Sequence, residues 1–359
     1  MKTTAPAFDA PAAQVHEHLD EVPMCPCVHH VWASLMNAEP TPASLASTST
    51  SSSSGALLQG TLPALDDDEG LRVPSALPSA LDAHVHLFPE RVFDALWAWF
   101  EKYGWPIRYR LQSPAIIPFL QSRGVEQMVA LHYAHKPNMA STLNAYMAEL
   151  TNAHAGVVGT ATVFPGEDNA RGILEDAFDL GLKGVKLHCH VQRFAPDADD
   201  LHDVYAACEA RGMPLVMHAG REPQSPAYGV DIPAICSAER VDAVLTSFPH
   251  LKLVVPHLGA DEFAAYFKLM EKHENLHVDT TMMLGGYFPI DVPLDVFAHF
   301  SDRVLYGSDF PSLPYAWDRE LKHLVQMGLD EETLHNVSRH NAQRLFFDDD
   351  INAHTAGDP

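Results

Sequence analysis

The sequence predicts an α/β protein built as a (β/α)8 barrel, the TIM-barrel architecture. Three observations carry that reading. From residue 79 onward, short apolar strands alternate with helical stretches; eight such pairs can be counted; and they fill residues 79–347. Strict alternation means right-handed βαβ units and a parallel sheet, and eight units of this size match a closed barrel. A doubly wound open sheet is the competing architecture. It would favour a glycine-rich phosphate loop after the first strand, where this chain instead reads His86-Leu87-Phe88-Pro89-Glu90.

The expected strands are 80–88, 125–133, 157–164, 184–191, 214–220, 252–259, 276–282 and 303–309. Helical stretches between them include 89–104, 138–150, 168–181, 197–212 and 261–274. Several of these open on Asp or Pro and close on Gly, as helix start and stop signals should. In strand 1, LDAHVHLF, alternate residues share a face. Leu81, Ala83, Val85 and Leu87 would then point to one side, and Asp82, His84 and His86 to the other. Strand 4, GVKLHCHV, is expected to direct Val185, Leu187, Cys189 and Val191 to the helices and Lys186, His188 and His190 inward.

The chain has 359 residues, and Lys+Arg 23 against Asp+Glu 47 gives a net charge of −24. Such acidity excludes the electrostatics of a nucleic-acid binder, and no basic tract suits an anionic membrane surface. No run of apolar residues is long enough to span a bilayer, and the amino-terminal residues lack a signal-peptide core. The 5 cysteines are odd in number and widely spread, which argues against a disulfide framework and for the cytoplasm.

Residues 1–78 differ from the rest: a Ser/Thr run at 47–55, an acidic run at 66–70 and several prolines predict a low-complexity, flexible extension. Residues 348–359 form an acidic tail. Within the extension, CPCVHH gathers Cys25, Cys27, His29 and His30. The spacing is not that of a standard zinc finger, and an apolar docking patch with Val28, Trp32 and Leu35 competes with a metal clip.

In a (β/α)8 barrel the active site lies at the carboxyl ends of the strands. Strand 1 supplies His84 and His86 there, strand 4 Lys186, His188 and His190, strand 5 His218, strand 6 His257, and strand 8 Asp309. Any one of these could be a satisfied core residue. Their joint occurrence at corresponding strand ends is costly unless something pairs with them, and imidazoles with a carboxylate suit a divalent ion.

The set His84-x-His86, Gly184-x-Lys186-x-His188, His218 in HAG, His257 in PHLG and Asp309 in GSDFP resembles the amidohydrolase superfamily. More narrowly, it is similar to the amidohydrolase-related group that includes aminocarboxymuconate semialdehyde decarboxylase and aromatic-acid decarboxylases and hydratases. The resemblance spans roughly 79–347, through SRHNAQRLF at 338–346. It implies that His84, His86, His218 and Asp309 bind one divalent metal, usually zinc, and that His257 is catalytic. It also implies that Asp309 both ligates the metal and takes a proton from water. A second metal bridged by a carbamylated Lys186 occurs elsewhere in the superfamily and stays open here, and His190 has no assigned role.

His188, Arg221 and Tyr228 are the substrate-binding candidates, the last two in the loop after strand 5. Arg221 would be a natural partner for a carboxylate. The stretch 105–113, with Arg108, Tyr109 and Arg110, is an insertion that would serve as a lid or a dimer contact.

Three functions fit. The first is a metal-dependent hydrolase using activated water on a small organic acid, lactone or amide. The second is a non-oxidative decarboxylase (carboxy-lyase) of an aromatic or unsaturated carboxylic acid. The third is a metal-binding barrel that no longer catalyses, which the completeness of the site residues and an intact His257 argue against. The expected partner is a small molecule, with a homodimer possible.

Overall fold

A computed structural model describes residues 65–288 and 290–348. The proposed metal clip or docking patch around Cys25, Cys27, His29 and His30, and almost all of the acidic tail, lie outside the described residues.

The eight expected strands form in order: β1 Ala80–His86, β2 Val125–Leu131, β3 Val157–Gly159, β4 Val185–His188, β5 Leu215–His218, β6 Leu253–Val255, β7 Leu276–Asp279 and β8 Val304–Leu305. All neighbouring pairs are parallel, in the runs β1-β2-β3 and β4-β5-β6-β7-β8. The bridges Ala161↔Val185 and Val85↔Phe310 join the two runs and close the barrel. Helices Glu90–Tyr103, Ala140–Asn152, Ala170–Asp179, His202–Arg211 and Phe263–Lys272 fall where the sequence placed them. The first buries Phe93 and Trp97. The helical turn Asn341–Phe346 sends Ala342 and Phe346 into one cluster with Leu81, Ala83, Val129, Leu131, Val216, Val254 and Leu305.

Each strand ends earlier than the apolar pattern suggested, always at its carboxyl end. The backbone leaves the sheet there to aim side chains. Strand 4 does not continue to residue 191: Cys189–Gln192 is a helical turn, so His190 stands on that turn rather than on the sheet. His257–Gly259 is likewise a tight turn rather than strand. His257 (φ 58°) and Asp309 (φ 72°) are both left-handed. For residues other than glycine this costs roughly 1–3 kcal/mol each and is concentrated at functional sites.

The simple alternation expected in β1 is corrected in the same way. Pairing with β2 shifts register between Asp82 and Val85, a bulge of the kind that re-aims side chains next to active sites. Leu81 and Ala83 pack into the apolar cluster. Asp82 turns toward β8, accepting the backbone N–H of His84 and Ser308 (both 3.0 Å) and the Ser308 hydroxyl (2.5 Å). Beyond the bulge, His84 and His86 are free to face the mouth.

The acidic run at 66–70, read above as part of a flexible extension, is tied to the barrel. Asp67 pairs with Arg319 at 2.9 Å, and Glu69 with Arg108 at 3.1 Å while accepting the Tyr109 hydroxyl at 2.5 Å. Gly70 N–H donates to Asp318 at 2.8 Å, and its carbonyl accepts from the Trp317 indole at 3.1 Å. Residues before 78 therefore pack on the barrel, because these carboxylates find arginine partners on the insertion and on the segment after β8. Trp105 and Tyr109 of the insertion are themselves buried.

Candidate metal centre

The bulge in β1 and the left-handed Asp309 bring three ligand groups together. His84, His86 and Asp309 offer donor atoms within 4.8 Å of one another. His86 Nε2 lies 3.0 Å and His84 Nε2 3.8 Å from the same Asp309 oxygen. The Asp309 N–H donates to the His84 carbonyl at 2.9 Å, which locks β8 against β1. Gly307 permits this approach: a Cβ there would lie 2.7 Å from His84 Cβ and 2.5 Å from Thr281 Oγ1.

His218 does not join this triad in the structure. It groups instead with His188 and His190, whose donor atoms are likewise within 4.8 Å of one another. His188 and His218 are register partners on β4 and β5, and their rings stack with centroids 4.2 Å apart. Gln192 shapes the turn that carries His190: it accepts the His188 N–H at 2.8 Å and donates to the carbonyls of Ala134 (2.9 Å) and Val163 (2.8 Å). His257 links the two groups, its Nε2 being 3.2 Å from His218 Nδ1.

Hydrogen bonding fixes the tautomers. A carbonyl or carboxylate can only accept, so the ring nitrogen facing it carries the hydrogen. His84 Nδ1 faces Asp279 at 2.8 Å, His190 Nε2 faces Gly220 O at 2.8 Å, His218 Nε2 faces Glu222 O at 3.0 Å, and His257 Nδ1 faces Thr281 O at 2.9 Å. The opposite nitrogens, His84 Nε2, His190 Nδ1, His218 Nδ1 and His257 Nε2, are left as lone pairs. In their neutral forms His218 and His257 present lone pairs to each other at 3.2 Å, which is repulsive until a proton or a cation lies between them. An anchored imidazole with its second nitrogen free is how proteins prepare metal ligands.

The charges agree. Burial holds His84 down to about 4, and burial with neighbouring cationic groups holds His188 and His218 well below the usual histidine range. These rings are neutral at pH 7, as ligands must be. Burial raises the carboxyls of Asp309 and Asp279, but His86 and His84 outweigh it, so both end below the ordinary carboxylate range and are ionised. Lys186, the candidate carbamate bridge, is fully buried, its Nζ has no hydrogen-bond partner, and desolvation lowers it to about 8.

Of the substrate candidates, His188 belongs to the three-histidine group and Tyr228 lies 5.2 Å from His190, ring to ring. Arg221 is drawn to Asp261 (2.8 Å) and Glu262 (3.6 Å), so its guanidinium is occupied by this chain's own carboxylates. Asp279 was missed by the sequence reading. Besides His84 it accepts the backbone N–H of His257 (3.0 Å) and Thr281 (3.2 Å), and it is fully buried. It ends β7, so the strand-end rule applied to the other strands would have found it. Tyr133 was missed as well; its ring stands 5.7 Å from His86 and 5.1 Å from His188, edge-on to both.

Residues 81–347 match the family model described as Amidohydrolase. No curated protein matches the chain. Among solved structures, an uncharacterized TIM-barrel protein from Bordetella bronchiseptica aligns with TM-score 0.56 and 20% identity over 74% of this chain and 98% of its own. A 5-carboxyvanillate decarboxylase from Novosphingobium aromaticivorans, complexed with manganese and a nitrobenzoic acid, aligns with TM-score 0.58 and 15% identity over 77% and 98%. A probable 2-pyrone-4,6-dicarboxylic acid hydrolase from Acinetobacter baumannii aligns with TM-score 0.53 and 16% identity over 75% and 99%. At these identities the structures speak for the barrel fold alone. The family model covers most of the chain, and on that ground this protein belongs to the amidohydrolase family.

Proposed function

We propose that this chain is a metal-dependent hydrolase acting on a small organic acid, lactone or amide through an ion held by His84, His86 and Asp309. The observation that carries the reading is this triad of two buried imidazoles and one ionised carboxylate beside His257. Three protein donors leave a coordination position for water, the pattern of catalytic rather than structural sites. Zinc is the ion the donor set suits first, and such an ion supplies Lewis acidity and brings a water's pKa down to about 7. His218, expected as a fourth ligand, keeps Nδ1 as its free nitrogen, 3.2 Å from His257 Nε2.

The residues divide the remaining work. Asp309, held ionised, is the nearest carboxylate able to accept the water's proton. His257 is anchored by Nδ1–H, so Nε2 is its working atom: it takes a proton as a base and, once charged, returns it to the leaving group. Asp279 holds His84 in the tautomer that keeps Nε2 available. Tyr133, Tyr228 and Phe88 surround the histidines with apolar ring faces, which exclude water and suit a flat substrate.

Those rings also support the second reading, decarboxylation of an aromatic or unsaturated carboxylic acid at the same residues. The free thiols of Cys189, Cys208 and Cys236 fit a reducing compartment such as the cytoplasm, and no helix among the described residues is long and apolar enough to cross a membrane. The deciding experiment strips the protein with chelator, restores zinc or manganese, and offers carboxylate, lactone and amide substrates while both CO2 and hydrolysis products are followed. Metal-restored hydrolysis supports the first reading and metal-restored CO2 release the second. Turnover that survives chelation contradicts both.

A further inference from the structure

We infer that the hydroxyls of Tyr133 and Tyr228 form the carboxylate-recognition pair of the barrel mouth, two neutral donors that hold an acid group of the substrate. The inference rests on the reading that the substrate is a small organic acid bound beside His84, His86 and Asp309.

Arg221, the expected partner for such a group, is claimed by Asp261 and Glu262, so the carboxylate needs other donors. Tyr133 follows β2, with its ring 5.7 Å from His86 and 5.1 Å from His188. Tyr228 comes from the loop after β5, with its ring 5.2 Å from His190 and 5.3 Å from Trp99. The Asp309 carboxylate acts electrostatically on both phenols, and Tyr228 acts on Tyr133. Both phenols are therefore neighbours of the proposed ligand carboxylate and of each other.

The independent sign of a ligand is what these hydroxyls lack. A buried tyrosine usually gives its O–H to a partner. Tyr109, Tyr205, Tyr266 and Tyr315 do so, to Glu69, the Pro196 carbonyl, the Ala219 carbonyl and Glu320. Tyr133 is buried and Tyr228 partly buried, yet neither hydroxyl has a hydrogen-bond partner among the described residues. Burial, with Asp309 adding to it, pushes both phenols above their ordinary value. They stay protonated at any working pH and can always donate. A neutral donor also suits the place, since an arginine here would compete with the metal for Asp309.

The local fold fixes both rings. Beside Tyr133, the Ala134 carbonyl accepts from Gln192 at 2.9 Å and the Ala134 N–H donates to the Thr162 hydroxyl at 3.3 Å. The Phe88 ring packs edge-on against Tyr133 at 5.1 Å. Tyr228 closes a single helical turn, Pro226–Tyr228, which Ser225 caps by accepting the Ala227 N–H at 3.3 Å. Gly229, left-handed at φ 68°, ends that turn. Donors held in place beforehand lose little freedom when an anion arrives.

The test reads binding and not turnover. The zinc-loaded full-length protein is titrated calorimetrically with benzoate and with benzamide, its neutral isostere, and zinc per chain is measured for every variant. Benzoate offers an acceptor oxygen to each hydroxyl, whereas benzamide turns an NH2 toward one of them. The wild type should prefer benzoate. Tyr133→Phe and Tyr228→Phe keep the rings; each should retain zinc and weaken benzoate on the order of 10-fold, as loss of a hydrogen bond to a charged group does, while benzamide loses less. Equal losses for the two probes would show packing alone. Unchanged benzoate affinity in either variant, or loss of zinc, would also overturn the pair, as would a wild type that binds benzoate no more tightly than benzamide. Failure of the hydrolase reading stays distinguishable: a protein that shows this selectivity and hydrolyses nothing keeps the pair and loses the hydrolase.

Discussion

Asp279 offers the sharpest perturbation. Its carboxylate accepts His84 Nδ1–H at 2.8 Å and two backbone N–H groups at 3.0 and 3.2 Å. Asparagine keeps the shape and one acceptor oxygen. That oxygen can still serve His257 N–H and Thr281 N–H, so the amide NH2 is driven against His84 Nδ1. An NH2 can only donate, so His84 must present a lone pair at Nδ1 and carry its hydrogen at Nε2, the nitrogen that faces Asp309. A protonated Nε2 cannot ligate. The ring must either hold the unfavourable tautomer or swing the amide and forfeit the two backbone bonds. Loss of such a support typically weakens metal binding on the order of 10- to 100-fold, or about 1.4–2.7 kcal/mol at RT ln of that ratio. The assay is competition for Zn2+ against a chromophoric chelator, with circular dichroism to confirm that Asp279→Asn is folded. Wild-type affinity in a folded Asp279→Asn protein would refute the argument from tautomers.

Other predictions follow from the same contacts. His257→Asn should retain the ion bound by His84, His86 and Asp309 while kcat falls on the order of 10²- to 10⁴-fold, the usual worth of a positioned acid or base; joint loss of metal and activity would instead make His257 a ligand. His132 is buried against Asn144 and lowered by burial to about 4. The unfolded chain therefore binds the extra proton between about pH 6.5 and pH 4, and stability falls as pH falls through that window. His132's own share of the loss from pH 7 to pH 5 should be about 2 kcal/mol, read as the difference in urea-derived stability between the wild type and His132→Gln at the two pH values, the variant having the flatter slope. The double variant Asp67→Ala/Glu69→Ala removes the ties to Arg319, Arg108 and Tyr109. Because these carboxylates are partly exposed, the cost should be only about 1–2 kcal/mol, and an unchanged melting temperature would show that the acidic run is not part of the fold.

The order of strands and helices was legible because apolar runs and cap residues are local signals. The strand ends were not. Where β4 stops at His188 and turns at Cys189, or where β1 slips register after Asp82, the deciding bonds come from Gln192, Ser308 and the neighbouring strand, none of which periodicity can see. His84, His86 and Asp309 could be read because polar residues at the ends of apolar strands stand out. The sequence did not reveal that His218 would stack on His188 or that Arg221 would be claimed by Asp261 and Glu262. Those outcomes depend on loop geometry. The acidic run at 66–70 looked unstructured because its composition cannot build a core, yet it needs none when Arg108 and Arg319 lie beneath it.

The most direct measurement is a crystal structure of the zinc-loaded protein with anomalous data collected on both sides of the zinc absorption edge. The account predicts an anomalous peak at about 2.0–2.2 Å from a ring nitrogen of His84, a ring nitrogen of His86 and a carboxylate oxygen of Asp309. A zinc-saturated crystal with no peak among these three side chains would contradict it.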